Sequence, residues 1–556
     1  MTFVTSNIPS LFAAMLFGSL TLAMAAVGAE PVNPSRNASP SRPPNVMIIL
    51  CDDLGYSDVG AYGSEIQTPN LDRLAKQGRR VSQFYNTARC WPTRAALLTG
   101  YYAQQVRRDA VPGVKSGGGG QRPAWAKLLP QRLQELGYRC YHSGKWHVDG
   151  LPTQQGFDHS YSLQDHDRHF QPRSHTLDDR ALPAVADGAA YYSSTAIAQY
   201  AIDHLKEHFL AHADRPFFSY VAFTAPHFPL HAPQDLIALY RDRYRAGWDE
   251  LRSQRWDRMK KDFPKATLPA IERELGPPYA FPKAFEALGP GESSLPKAWN
   301  ELSESQRSFQ VDKMAIHAAM VHAMDIEIGR IVDTLRDQQQ LDSTCLIFMS
   351  DNGASAEIMV RGDGHQADAP PGSAATFLCL GPGWSSHANT PFRKHKTWVH
   401  EGGITTPCIV HWPERVSPRS EPIDAPAHAI DLVPTILEFI PDATRQQPVL
   451  PNAPTLPGQS LVSLLVDSPK DSNEAFAERM LWWQHEGNRA LRQGPYKIVA
   501  AGQDAAWELY DLNTDRTETR DLSAAHPDRL QQMAQEWERL RDAFIADAKR
   551  DLAEPR

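Results

Sequence analysis

The chain has 556 residues, 42% of them hydrophobic, more than one core usually organises, so a large domain with a smaller companion is expected. Its 57 Lys and Arg against 65 Asp and Glu give a net charge of -8 with no long basic run. That excludes nucleic acid as the main partner, because phosphate binding needs a clustered cationic face.

The first 29 residues carry no Asp, Glu, Lys or Arg, and Leu11 to Val27 is mostly Leu, Ala, Met and Phe. Small residues at Val27-Gly28-Ala29 suit cleavage, so residues 1–29 read as a secretory signal peptide. The basic n-region is missing, and an uncleaved anchor helix is the alternative. The expected location is periplasmic or secreted, with no stable membrane insertion once the signal is removed. Residues 30–44, "EPVNPSRNASPSRPP", read as a Pro/Ser-rich disordered leader. Export raises the question of disulfides among Cys51, Cys90, Cys140, Cys345, Cys379 and Cys408. Cys51, Cys345 and Cys379 lie in apolar runs, where a thiol behaves as a small buried hydrophobe, so no disulfide framework is forced.

Four short apolar runs follow in chain order, each ending in polar groups. "VMIIL", 46–50, stops at Cys51-Asp52-Asp53, and a weaker run around "YRCYHS" reaches Gly144-Lys145-Trp146-His147. "FFSYVAF", 217–223, runs into Thr224-Ala225-Pro226-His227, and "CLIFM", 345–349, stops at Ser350-Asp351-Asn352-Gly353. Continuous apolar runs of this length read as strands buried on both faces. Helical patterns lie between them: "LPQRLQELG" before Tyr138, and a long one with Met314, Ala318, Val321, Met324, Ile328, Ile331 and Leu335 at helical spacing. The fold class is therefore α/β, a large mainly parallel sheet flanked by helices, with its ligand crevice beyond the carboxyl ends of the strands.

A single Asp-Gly or Asn-Gly after a strand is most often a turn. Asp52, Asp53, Asp351 and Asn352 together bring three carboxylates and an amide oxygen to one edge. Such an array repels itself unless a cation or several donors neutralise it. Oxygen-only ligands point to Ca²⁺ or Mg²⁺ rather than Zn²⁺.

Residues 90–100, "CWPTRAALLTG", place Pro92 in the first turn of a short helix closed by Gly100. Cys90 sits at its N-terminus, where unpaired amides and the dipole favour negative charge. Arg94, one turn in, can stabilise that charge. The bland alternative is a structural thiol beside a capping proline.

Cys90, Pro92, Arg94, Leu98, Thr99 and Gly100 satisfy C-x-P-x-R-x-x-x-L-x-T-G in full. The segment resembles the type I sulfatase signature of the alkaline phosphatase superfamily, in which the cysteine is oxidised to Cα-formylglycine. The resemblance runs from about 44 to 525: "PNVMIILCDDLGYSDVGAYG", "HSGKWH", "TAPHFPLHAP", "MSDNGA" and "TPFRKHKTWVHEGGITTPCIVHWP" are similar to family segments, in the family's order. "GWDELRSQRWDRM" and "LPKAWNELS" resemble the arylsulfatase-like branch, and "ELYDLNTDRTETRDLS" the family's C-terminal tail.

The resemblance implies that Asp52, Asp53, Asp351 and Asn352 hold Ca²⁺, with modified Cys90 as a further ligand. It implies that hydrated formylglycine attacks sulfur, that Arg94 steadies the formylglycine, and that Lys145 and Lys396 contact the sulfate. His147 is assigned to the formylglycine hydroxyl and His227 to protonation of the leaving alcohol. Lys396 is chosen over Arg393 and Lys394 by its distance from Glu401-Gly402-Gly403. His231, His365 and His400 are candidate substrate contacts with no chemistry assigned. The implied activity is hydrolysis of sulfate monoesters on a small molecule or glycan, dependent on a formylglycine-generating or anaerobic maturation enzyme. The rivals are a phosphonate or phosphate ester hydrolase, and a non-catalytic binder of sulfated glycans with Cys90 left as thiol.

The organisation expected is a catalytic domain over 45–466 and a C-terminal subdomain over 467–556. Residues 240–310, broken by "GPPYAFPKAF" and "GPGESSLP", read as an insertion over the core. Hairpin-like runs at 480–511 and a stripe of Leu530, Met533, Trp537, Leu540 and Phe544 predict a small antiparallel sheet packed by a final helix.

Overall fold

The computed structural model describes residues 42–274, 281–361, 364–441, 453–466 and 476–552. The expected signal segment 1–29 and most of the leader lie outside the described residues. Among those described, no helix is long and apolar enough to cross a membrane.

The ten strands of the main sheet are β1 (Asn45–Cys51), β2 (Arg79–Tyr85), β3 (Arg139–Gly144), β4 (His159–Leu163), β5 (His175–Leu177), β6 (Arg180–Ala181), β7 (Phe217–Ala222), β8 (Thr344–Ser350), β9 (Thr405–His411) and β10 (Ala427–His428). Their order across the sheet is β10-β2-β9-β8-β1-β7-β3-β4-β5-β6. The four runs read from sequence are β8, β1, β7 and β3, which lie side by side and parallel. β9 pairs antiparallel with both β8 and β2, so the sheet is mixed.

Side chains of β1 alternate between two layers. Met47, Ile49 and Cys51 belong to the core built on the helix Glu304–Asp337, while Val46, Ile48 and Leu50 belong to the core that holds Leu97, Leu98 and Val433 on the other side. Both faces are thus covered, which is why the run carries no polar alternation. The 34-residue helix Glu304–Asp337 starts at Ser303, whose Oγ accepts from the Gln306 amide while the Gln306 side chain accepts from the Ser303 amide.

Described residues of the region 240–310 contribute to the first core. Trp248 is buried in that cluster, and the buried Arg255 pairs with Asp58 at 2.7 Å and Glu65 at 2.8 Å. The C-terminal sheet has four antiparallel strands, β11 (Met480–His485), β12 (Asn488–Gln493), β13 (Tyr496–Ala500) and β14 (Glu508–Asp511). The helix Pro527–Lys549 packs on it through Met533, Trp537 and Phe544, with Leu530 and Leu540 partly covered. All six cysteines are unpaired and buried.

Candidate active site

The central strands deliver their terminal groups to one edge: Asp52 and Asp53 after β1, Asp351 and Asn352 after β8, Lys145 after β3 and His227 beyond β7. The ends of β1 and β8 are stitched together. The Asp351 amide donates to the Cys51 carbonyl at 3.1 Å, and the Leu54 amide to Ser350 Oγ at 3.0 Å. Asp53 has a left-handed φ of 67°, a sparsely populated state that surrounding bonds must hold. Gly144 has φ 118°, and a Cβ there would meet the Ala222 carbonyl oxygen at 2.0 Å. Only glycine lets β3 and β7 lie this close while the chain turns to bring Lys145 inward.

Cys90 is the first residue of the helix Cys90–Thr99, which ends at Gly100 with φ 77°. Apart from Trp91 the helix is buried along its length. The turn before it is locked to the segment carrying Lys396: the Thr397 amide donates to the Ala88 carbonyl at 2.8 Å, and Arg89 donates to Thr397 Oγ1 at 2.6 Å.

Arg94 is fully buried, and its guanidinium donates twice to Asp351 Oδ2, at 3.0 and 2.8 Å, and to the Lys145 carbonyl at 2.7 Å. Lys145 Nζ lies 2.6 Å from Asp52 Oδ2, and Lys396 Nζ lies 2.8 Å from Asp53 Oδ2. The two lysines assigned to sulfate therefore border the acidic cluster directly. Burial pushes the Cys90 thiol up, with Lys145 and then Lys396 pulling it down and Asp52 and Asp351 opposing them. The thiol, both cations and the carboxylates share one electrostatic neighbourhood.

Two buried oxygens in this cluster accept no hydrogen bond: Asp52 Oδ1 and Asn352 Oδ1. The Asn352 amide nitrogen faces Asp53 Oδ1 at 2.7 Å, leaving its oxygen turned away. Burial, with Asp52 adding to it, raises Asp351 to about 7 despite Arg94. Asp52 is held well below the usual range: burial raises it, but Lys145, His227 and Arg94 outweigh that. Asp52, Asp53 and His227 each place a ligand atom within 4.8 Å of the others. Unpartnered oxygens beside a carboxylate that favours its proton are what a hard cation relieves, so the residues fit a divalent ion.

His227 Nδ1 lies 2.5 Å from the Phe228 carbonyl, which assigns the proton to Nδ1 and leaves Nε2 facing the cluster, 3.7 Å from Asp53 Oδ2. His147 has φ 53° and a buried Nδ1 that makes no hydrogen bond. Burial first, then Lys145, holds His147 well below its ordinary value; burial does the same to His227, against the pull of Asp52. Burial thus biases both rings toward the neutral form.

The rings of Trp91, His147, His166, His227 and Phe228 follow one another with centroids 5.7, 5.7, 5.5 and 4.1 Å apart. His166 was not singled out from sequence, nor was Glu357, whose carboxylate lies 3.4 Å from Lys396 and 3.2 Å from Arg89. Although burial raises it, Lys396 and Arg89 bring Glu357 down to about 2. Of the other histidines considered, His231 Nε2 meets the Thr376 carbonyl at 2.7 Å, and His365 accepts from the Phe377 amide at 3.2 Å. His400 turns to Glu508 of β14 at 3.3 Å.

The sulfatase family profile matches residues 44–442, and that of the N-sulphoglucosamine sulphohydrolase C-terminal region matches 392–543. An uncharacterised sulfatase of Schizosaccharomyces pombe is 33% identical over 548 residues, covering 89% of this chain and 93% of that protein. An arylsulfatase of Klebsiella aerogenes is 30% identical over 464 residues, covering 77% and 94%. A crystallised protein in complex with its substrate D-glucosamine-2-N,6-O-disulfate is similar with a TM-score of 0.60 at 20% identity, over 92% of this chain and 100% of that one.

Proposed function

The chain belongs to the sulfatase family and is a sulfuric ester hydrolase, and we propose that it acts through Cys90 oxidised to formylglycine, with Ca²⁺ held by Asp52, Asp53, Asp351 and Asn352. The observation that carries this reading is the position of Cys90, at a helix N-terminus and within electrostatic reach of Lys145, Lys396, Asp52 and Asp351. An irregular set of side-chain oxygens suits the flexible shell of Ca²⁺ better than the strict octahedron of Mg²⁺. When bound, the ion supplies Lewis acidity that orients the sulfate and draws off developing charge.

The residues divide the remaining work. Arg94 fixes Asp351 and, through the Lys145 carbonyl, the start of the loop bearing Lys145 and His147. Lys145 and Lys396 present preorganised positive charge to the sulfate oxygens, the expected main source of rate enhancement. The hydrated side chain at position 90 offers one hydroxyl to sulfur in line with the ester oxygen, and the proton that hydroxyl gives up passes to a carboxylate of the acidic cluster. His147, neutral and with a ring nitrogen unpartnered, takes a proton from the second hydroxyl as the sulfated side chain collapses to the aldehyde. His227, protonated at Nε2 before the ester bond breaks, gives that proton to the leaving oxygen, and burial beside these cations makes the imidazolium a strong acid.

Both an aryl sulfate and a sulfated carbohydrate suit this centre. A maturation enzyme is a required partner, and because Cys90 is 3% exposed its conversion precedes completion of the fold. Export is part of the proposal and rests on the uncharged first 29 residues; N-terminal sequencing of protein from its host tests it. Side-by-side kcat/KM on an aryl sulfate, an aryl phosphonate and an aryl phosphodiester tests the reaction class. The sulfate should be preferred by more than tenfold, and preference for either phosphorus ester would overturn the reading.

A further inference from the structure

Next to His227 lies a cavity of about 420 Å³, within the range of small-ligand sites, about 300–1,000 Å³. One aromatic ring, that of Phe228, has a cation of the reaction centre and a cation of the cavity wall near it. The Lys396 ammonium stands 5.4 Å from the centroid of the Phe228 ring, and the Arg361 guanidinium, on the cavity wall, stands 5.5 Å from the same centroid. His166 connects the centre and the cavity through its neighbours, its ring lying near those of His147 and His227. Its Nδ1 lies 3.2 Å from the Gln164 carbonyl, and its Nε2 lies 3.4 Å from Asp167 Oδ1. Asp167 lines the cavity and ion-pairs with Arg361 through Oδ2, while its buried Oδ1 accepts no hydrogen bond.

The lining gives three arginines and three aspartates, with Gln171 and Gln366 among them and the rings of Phe170 and Phe377 beside. With the charges balanced, the cavity does not attract an anion by its net field. Its guanidiniums and amides donate, and its carboxylates accept. A hydroxyl does both, so a ring bearing several hydroxyls matches such a wall, and its C–H face suits the two phenyl rings. A flat aryl group would displace water from these polar groups without replacing the bonds.

We infer that this cavity receives the alcohol portion of the substrate, that this portion is a sugar ring rather than an aryl group, and that Asp167 and Arg361 are specificity-determining residues for it. The inference rests on the sulfate-ester reading of the adjoining centre.

Matured protein is assayed for sulfate release from N-acetylglucosamine 6-sulfate, N-acetylgalactosamine 6-sulfate and 4-nitrophenyl sulfate, with Arg361→Ala and Gln366→Ala alongside. Both positions are exposed, so folding is little disturbed. A sugar sulfate should have the higher kcat/KM, and each variant should lower the sugar-to-aryl ratio at least tenfold, mainly through KM. A ratio unmoved in both variants, or a wild-type preference for the aryl ester, overturns the inference while leaving the sulfatase reading intact. Release from none of the three contradicts the sulfatase reading instead. Calorimetric titration of the two sugar sulfates into Cys90→Ser protein then judges the cavity separately: binding weakened at least tenfold by Arg361→Ala supports it, and no binding of either sugar overturns it.

Discussion

Arg94 spends two of its donors on one oxygen of Asp351, Oδ2, across 257 positions of sequence. The contact joins the helix that begins at Cys90 to the end of β8, so the nucleophile's element and the acidic cluster are fixed by one buried pair. Removing one partner of such a pair strands the other charge. Arg94→Ala is expected to lower stability by about 3–5 kcal/mol and to abolish turnover. Arg94→Lys keeps the charge but loses the fork, and should recover part of the stability with little activity. Denaturant titration of the three proteins, with activity measured below the transition, checks this.

The unpartnered oxygens of Asp52 and Asn352 predict a metal that stabilises the folded chain. Calcium at a hundred times its Kd should add about 2.7 kcal/mol by mass action, read as a rise in melting temperature that a chelator reverses. Asp52→Asn and Asn352→Ala should lose most of that rise. A melting curve indifferent to calcium in the wild type would contradict the assignment.

Glu357 predicts a loss of rate without loss of fold. Its carboxylate is an acidic partner that Lys396 and Arg89 share, so Glu357→Gln lets both cations relax. The expected drop in kcat is on the order of 10-fold to 100-fold, as for other groups that orient a site from behind, with KM changed less. Steady-state kinetics and circular dichroism together separate this from unfolding.

Acid should loosen the contact between the C-terminal sheet and the segment that follows Lys396. Glu401 is fully buried, ion-paired with Arg516 and, at 2.9 Å, with Lys497 of β13. Burial raises it, but Arg516 and Lys497 bring it to about 2 from an ordinary 4.5. A carboxylate depressed in the folded state stabilises the fold above its unfolded value, and that contribution is lost as pH falls through the folded value. The wild type should therefore exceed Glu401→Gln in stability at pH 7, with the gap closing between about 4.5 and 2. Equilibrium unfolding at a series of pH values measures it.

The centre of the sheet was legible because β8, β1 and β7 are buried on both faces, which leaves largely apolar runs ending in polar groups such as Asp52, Asp53, Asp351 and Asn352, whereas β3, with Arg139, His142 and Ser143, gives a weaker one. β9 was not legible. Its Pro407 lacks the amide that a central strand needs, and the ladder slips there, between Val81 and Phe84 of β2. The Tyr62 hydroxyl takes up the next amide, accepting from Cys408 at 3.0 Å, a contact no local pattern announces. The same holds for the site: Cys90 and Arg94 stand at a fixed spacing within one helix, whereas Glu357, His166 and Asp167 reach the centre from loops without period. Arg94 is expected beside the charge at Cys90; its grip on Asp351 is a further contact that the spacing within one helix does not announce.

Mass spectrometry of the peptide containing residue 90, from protein made in its native host, tests the central claim most directly. An aldehyde, or its hydrate, in place of the Cys90 thiol is the predicted result. An intact thiol in protein that still hydrolyses sulfate esters would contradict it.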